Sequence, residues 1–249
     1  MPAILFVHGL WHGAWCWDEH FVPWFTERGY DARAITLRHH DQRHATGLRT
    51  TRIRDYVTDV AKAASRFRDA PVIVGHSMGG FVTQMYLSEH AAPAAVLLAS
   101  IPPSGILGAT LRYASRHPLR FLATNITLSL YGLVSTPERA RAMFFSPTLP
   151  DADVARYQSK LTDDAYFAYL DLLFFARPRV SAIKTPILVV GGERDWTITR
   201  PDVEATAKAY GAELAMFPGA HDLMLDTGWE NVARRIDSFI RSKTGAVAV

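Results

Sequence analysis

The fold is decided by Gly75-His76-Ser77-Met78-Gly79, set between the apolar run Val72-Ile73-Val74 and the segment Phe81-Val82-Thr83-Gln84-Met85-Tyr86-Leu87. The run before it is short, continuous and β-branched, as expected for a strand buried on both faces, and the segment after it predicts a helix. A serine at such a junction, with glycine two residues to either side, predicts a nucleophile elbow. The serine must hold an unfavourable backbone conformation to expose its hydroxyl. The chains flanking it then approach closely, and residues without a Cβ permit that. A serine at a strand-to-helix junction can also be a simple N-cap, so the motif needs partners elsewhere in the chain.

Working outward, Ala3-Ile4-Leu5-Phe6-Val7 predicts a first buried strand ending in His8-Gly9-Leu10-Trp11. Ala14 to Arg28 predicts a helix closed by Gly29 as its C-cap, and Asp31 to Leu37 a second strand. Arg38 to Leu48 is a polar loop, followed by a helix with Ile53, Tyr56, Val57, Val60 and Ala64 on one stripe. Pro71 to Val74 is the third strand and Ala94 to Ala99 the fourth. Pro186 to Val190 is the fifth, ending in Gly191-Gly192-Glu193-Arg194-Asp195, and Glu213 to Phe217 the sixth, ending in Pro218-Gly219-Ala220-His221. Trp229 to Arg241 is the last helix, and the tail from Thr244 to Val249 is expected to be disordered. Short apolar strands alternating with helices imply an α/β fold of about six parallel strands, doubly wound with right-handed crossovers.

The alternation breaks once. Residues 103–180 hold only helical patterns, Leu107 to His117, Leu119 to Tyr131, Pro137 to Phe144, Asp151 to Leu161 and Asp164 to Ala176. A loop of that length without structure is implausible in a compact domain, so a helical cap inserted after the fourth strand is expected, on a core of residues 1–102 and 181–249.

In an open α/β sheet, ligands bind at the carboxyl ends of the strands. Four such ends carry chemically useful groups here: His8-Gly9-Leu10, Ser77, Asp195 and His221. They suggest Ser77 as nucleophile, His221 as general base, and Asp195 orienting the imidazole and stabilising its charged form. The backbone N–H groups of Met78, at a helix N-terminus, and of Leu10 would hold an oxyanion. Glu193 is the rival acid, but it lies two residues closer to its strand. The fourth strand is followed by Ser100-Ile101-Pro102 and supplies no acid, while Asp222 and Asp226 are potential partners of His221.

Composition narrows the classes. Of 249 residues, 49% are apolar and 20% charged, ordinary for a globular protein. The net charge of +3 comes from scattered bases. Arg38, Arg43, Arg49, Arg52 and Arg54 form the densest group without aromatic residues to stack on bases, so no nucleic-acid partner is expected. The single cysteine, Cys16, excludes an intrachain disulfide. No signal peptide is recognised after Met1-Pro2-Ala3, no apolar run approaches the ~18 residues of a membrane span, and a cytoplasmic location is the expectation. His39, His40 and His44 invite a metal reading, but they sit in a polar loop with no Cys and no second acid cluster, so no metal is expected. Gly79-Gly80 and Gly191-Gly192 match no dinucleotide or phosphate loop, and no cofactor is expected. Trp11, Trp15 and Trp17 read as packing residues, with Trp11 the one beside the pocket.

With these residues in view, the chain resembles the α/β-hydrolase superfamily through Phe6-Val7-His8-Gly9, Gly75 to Gly79, Gly192-Glu193-Arg194-Asp195 and Pro218-Gly219-Ala220-His221. His8-Gly9-Leu10-Trp11-His12-Gly13-Ala14-Trp15-Cys16-Trp17 looks like the opening of the branch that holds plant methylesterases, hydroxynitrile lyases and many bacterial esterases. Full-size members have eight strands, and this chain starts at what resembles their third. Relatives that are dehalogenases or epoxide hydrolases use aspartate where Ser77 stands. Hydroxynitrile lyases of the branch carry a lysine soon after the histidine, where Asp222-Leu223-Met224 follows here. The resemblance therefore implies a serine hydrolase cleaving a carboxylic ester through an acyl-enzyme. Lactone, thioester or C–C bond hydrolysis by the same triad, and a non-catalytic small-molecule receptor, are the alternatives. The aromatic and aliphatic insertion suggests a small to medium apolar ester substrate, with Trp11, Phe144, Phe174 and Leu223 expected at the pocket.

Overall fold

The structure is a computed structural model and describes residues 1–41 and 46–245. Six strands form one parallel sheet: β1 (Ala3–Val7), β2 (Asp31–Ile35), β3 (Val72–His76), β4 (Ala95–Leu98), β5 (Ile187–Gly192) and β6 (Glu213–Phe217). Their order is β2-β1-β3-β4-β5-β6, every neighbouring pair being parallel. The four inner strands are almost wholly buried, as their continuous apolar runs require, whereas β2 and β6 are edge strands with exposed positions. The order reverses between β1 and β3. Gly75 of β3 pairs with Val7 of β1, so the loops leaving those two strands lie side by side.

The helices differ in detail from the sequence pattern. The expected helix from Ala14 to Arg28 is two short ones, α1 (Trp15–Asp18) and α2 (Phe21–Thr26), because His20 leaves the helical region at φ −137°. Gly29 does take a left-handed conformation, φ 83°, just beyond α2. Next come α3 (Ile53–Ala64) and α4 (Met78–Leu87). Five helices fill the stretch between β4 and β5: α5 (Leu107–Arg116), α6 (Pro118–Thr127), α7 (Pro137–Phe144), α8 (Asp151–Lys160) and α9 (Tyr166–Leu170). Leu128, left-handed at φ 54°, ends α6 short of the expected Tyr131. A π turn over Asp171–Phe175 replaces the second half of the expected Asp164 to Ala176 helix. Finally, α10 (Arg200–Tyr210) precedes β6, and α11 (Trp229–Thr244) runs three residues past Arg241. The expectation for the tail concerns mainly residues 246–249, which lie outside the described residues.

Packing carries these pieces to the site. Under the sheet, Phe6 meets the rings of Trp17, Phe21 and Phe25 at 4.9 Å, 6.1 Å and 5.7 Å, all of them fully buried. This cluster holds α1 and α2 against β1, and so fixes the base of the loop that runs from His8 to Gly13.

Candidate active site

Ser77 stands between β3 and α4 at φ 52°, ψ −116°, a conformation that L-residues adopt at a cost of about 1–3 kcal/mol. What compels it is the close approach of the surrounding backbone. A Cβ on Gly79 would lie 2.3 Å from the His8 carbonyl oxygen and 2.4 Å from that of Val7. One on Gly75 would lie 2.4 Å from Thr83 Oγ1 and 2.5 Å from the Gly79 carbonyl oxygen. Both glycines of the pentapeptide are therefore required by contacts with backbone. The turn is held by the Ser77 N–H to the Leu98 carbonyl, 3.0 Å, and by the Phe81 and Ile101 N–H groups to the Ser77 carbonyl, each 3.2 Å.

The three side chains named from the strand ends come together. His221 Nε2 lies 2.9 Å from Ser77 Oγ, and His221 Nδ1 lies 2.6 Å from Asp195 Oδ2. The other Asp195 oxygen accepts the Thr197 N–H at 2.8 Å and the Ile198 N–H at 2.9 Å, which locks the carboxylate. With Nδ1–H donated to Asp195, Nε2 is left to accept the serine proton. All three residues are at most 6% exposed. Burial alone would lower the His221 imidazole, but the Asp195 carboxylate, helped by Asp222, outweighs it and the net shift is upward. Glu193, the rival acid, is half-exposed and pairs with Arg200. Ser100, after β4, bonds to Gln84 and serves the packing of α4.

The loop after β1 faces Ser77, and a Cβ on Gly9 would sit 2.9 Å from that of the serine. Its carbonyls are taken in turn: His8 Nδ1 donates to the Gly9 oxygen at 2.8 Å and His12 Nδ1 to the Leu10 oxygen at 2.7 Å. Trp11 is left-handed at φ 65°, and its N–H donates to Asp164 Oδ2 at 2.6 Å. No partner for the Leu10 N–H occurs among the described residues. His12 Nε2 lies 3.0 Å from Asp222 Oδ2 and His40 Nε2 3.0 Å from Asp164 Oδ2, so two buried histidine–aspartate pairs flank this loop. Burial pushes the Asp222 carboxyl up, yet His12, His76 and His221 together pull it below the ordinary range. Burial, and then His221, drive His76 down to about 3, so the residue next to the serine stays neutral.

One family model, the alpha/beta hydrolase family, matches residues 4–235. The chain belongs to the alpha/beta hydrolase family. Among curated proteins, norfluorocurarine synthase 1 of Strychnos nux-vomica is 33% identical over 110 residues, covering 40% of this chain. The match spans only 39% of that plant protein's length. Among solved structures, a carboxylesterase of the thaumarchaeon Nitrososphaera gargenis superposes with a TM-score of 0.75 at 16% identity, over 99% of this chain and 92% of its own. Polyneuridine aldehyde esterase gives 0.71 at 16% identity, over 96% and 98%. At such identities the two structures speak for the shared fold.

In this alpha/beta hydrolase, an apolar pocket partly open to solvent adjoins the Leu10–Trp11 loop. Its walls come mainly from α5 and the residue before it, α6, α9 and the segment after Asp195: Ile106, Tyr113, Phe121, Tyr169 and Trp196, with Thr110, Thr124 and Thr197 among the few polar groups. The expected pocket residues fare unequally. Trp11 lines it. Phe144 does not; it is buried behind, its ring 5.6 Å from Trp11 and 6.1 Å from His221. Leu223 lies elsewhere, beside Gly219 and Val232. Phe174 corrects the expectation: on the π turn after α9 it is 59% exposed and lines none of these walls. Of the histidines considered for metal, His40 is spent on Asp164 and His44 lies outside the described residues. His76, His221 and Asp222 bring ligand atoms within 4.8 Å of one another, but both His221 nitrogens are already used by Ser77 and Asp195. Sequence reasoning missed Asp164 and His12, and it named Asp222 only as a potential partner of His221, not as the partner of His12. Asp164 is 153 positions from its partner Trp11, and no local pattern signals such a contact.

Among the described residues no helix is long and apolar enough to cross a membrane.

Proposed function

We propose that this protein is a serine hydrolase of carboxylic esters with a small to medium apolar acyl or alcohol part. The observation that carries the reading is the unbroken chain from Ser77 Oγ through the His221 imidazole to Asp195, at 2.9 Å and 2.6 Å. Ser77 Oγ attacks the ester carbonyl while His221 Nε2 takes its proton, and the imidazolium is stabilised by Asp195. The carbonyl oxygen becomes an oxyanion, for which Met78 N–H, first in α4, and Leu10 N–H are the donors. Collapse expels the alcohol, which receives the proton from His221 and leaves an acyl-Ser77. Water, deprotonated by the same nitrogen, then returns the serine and releases the acid. The helical segment 103–180 acts as the cap whose inner wall selects the substrate, since Ile106, Tyr113 and Phe121 offer shape and apolar area but almost no polar recognition. The esterase names of structural neighbours agree with this reading.

The test is labelling with a fluorophosphonate together with turnover of p-nitrophenyl esters from acetate to octanoate. Wild type should label and hydrolyse, with chains longer than acetate preferred, and Ser77→Ala should do neither. Labelling that survives Ser77→Ala would refute the assignment of the nucleophile. Labelling without turnover of esters, lactones or thioesters would favour a small-molecule receptor instead.

A further inference from the structure

Two successive peptide groups in the loop after β1 have three of their four polar atoms taken by side chains, all but the Leu10 N–H. In the Gly9–Leu10 peptide the carbonyl faces His8 Nδ1 at 2.8 Å, which turns the Leu10 N–H the opposite way. In the Leu10–Trp11 peptide both ends are held, the carbonyl by His12 Nδ1 at 2.7 Å and the N–H by Asp164 Oδ2 at 2.6 Å. The Trp11 carbonyl then accepts the Thr162 N–H at 3.0 Å, and the Trp11 indole N–H reaches the Leu130 carbonyl at 3.2 Å. Three of these five bonds come from the segment between β4 and β5. They close on a tryptophan at φ 65°, a conformation disfavoured for a bulky residue and kept only where its surroundings over-determine it.

We propose that Asp164 and His12 are positioning residues for ester hydrolysis: by fixing the Leu10–Trp11 peptide from both ends they aim the Leu10 N–H at the oxyanion, so that the donor is in place only when the inserted helical segment is seated. This rests on the serine hydrolase reading above and adds a dependence of its chemistry on the insertion. Asp164 suits the role because its two oxygens are fully committed. Oδ1 accepts the Ala165 N–H at 2.7 Å, while Oδ2 accepts from both Trp11 and His40. An asparagine cannot reproduce this, because whichever way its amide turns, the NH2 meets a backbone N–H donor. His12 is anchored in its own right through Asp222 and by stacking on Trp15, ring centres 5.3 Å apart. The same peptide is therefore pinned at its two polar atoms, at the N–H by Asp164 from the insertion and at the carbonyl by His12 of the loop itself, which Asp222, the residue after His221, anchors in turn.

The experiment measures kcat and KM separately on p-nitrophenyl butyrate for wild type, Asp164→Asn, His12→Gln and the double variant, each checked for folding by circular dichroism and thermal melting. A donor misplaced by an ångström costs on the order of 100-fold in rate, so Asp164→Asn is expected to lower kcat by about 10- to 100-fold with KM within about twofold of wild type. His12→Gln keeps a donor for the Leu10 carbonyl and should fall less. The double variant should lose less than the product of the single losses, because both act on one peptide. A folded Asp164→Asn with wild-type kcat overturns the proposal, as does a loss carried by KM alone or losses that multiply independently. If Asp164→Asn does not fold, His12→Gln decides: a reduced kcat at unchanged KM supports the positioning role and an unchanged kcat overturns it. A wild-type protein that turns over no ester refutes the hydrolase reading itself and is told apart at the first measurement.

Discussion

Gly79→Ala isolates the steric demand of the elbow without touching any reacting group. A Cβ at this position would stand 2.3 Å from the His8 carbonyl oxygen and 2.4 Å from that of Val7, whereas ordinary contact begins at 3.4 Å. The missing distance, about 1 Å, cannot be supplied by a side-chain rotation, because both obstacles are backbone at the end of β1. Either α4 moves outward or the loop after β1 moves away from it. The first displaces Ser77 and the Met78 N–H, and the second displaces the Leu10 N–H. Overpacking of this kind costs about 1–3 kcal/mol of stability. Misplacing a reacting group or donor by about 1 Å costs on the order of 100-fold in rate. Thermal melting should therefore show a loss of several degrees, and kcat on p-nitrophenyl butyrate should fall about 100-fold in protein that is still folded at the assay temperature. Gly132→Ala is the control: it meets nothing within 4 Å, and both quantities should stay at wild type. Gly79→Ala with full kcat would refute the claim that backbone approach sets the geometry of Ser77.

Two more outcomes follow from the site and its pocket. As the proposed base, His221 would act in its neutral form, and its net upward shift means that kcat/KM should rise with pH through an apparent value above the ordinary 6.5 of an imidazole; an acid limb below that would contradict the attraction of Asp195. Ala109→Trp fills part of the apolar pocket and should abolish the preference for long acyl chains while leaving acetate turnover within about threefold; an unchanged chain-length profile would place the acyl group elsewhere.

The sequence displayed those parts of the molecule that depend on neighbours along the chain. Apolar runs located all six strands, because a strand buried on both faces needs a continuous run, and even the weaker β2 was located despite its edge position. The serine, aspartate and histidine were legible because each lies within four residues of the end of a strand, where the topology of a parallel sheet gathers loop residues at one edge. Phe174 was misplaced for the complementary reason. The helical period says that a face exists but not which way it turns, and a π turn at Asp171–Phe175 left this aromatic in solvent. Asp164 and His12 left no trace in local pattern, since their partners are set by how the inserted helices settle on the sheet. The break at His20 was hidden similarly: the packing of Trp17 and Phe21 around Phe6 bends a segment whose composition is compatible with one helix.

The distribution of the triad along the chain has a consequence for biosynthesis. Ser77 and His221 are 144 positions apart, and His221 follows β6, the last strand of the chain. At about 5–20 residues per second, a ribosome takes about 7–30 s to travel from one to the other. During that interval the emerging polypeptide carries Ser77 without His221, the imidazole whose Nε2 meets its hydroxyl in the finished fold, so the proposed nucleophile lacks its base however well the first strands have assembled. Recovery of turnover after dilution from denaturant likewise requires the Ser77–His221 contact, one of high sequence separation, and should lag behind the return of helical circular dichroism.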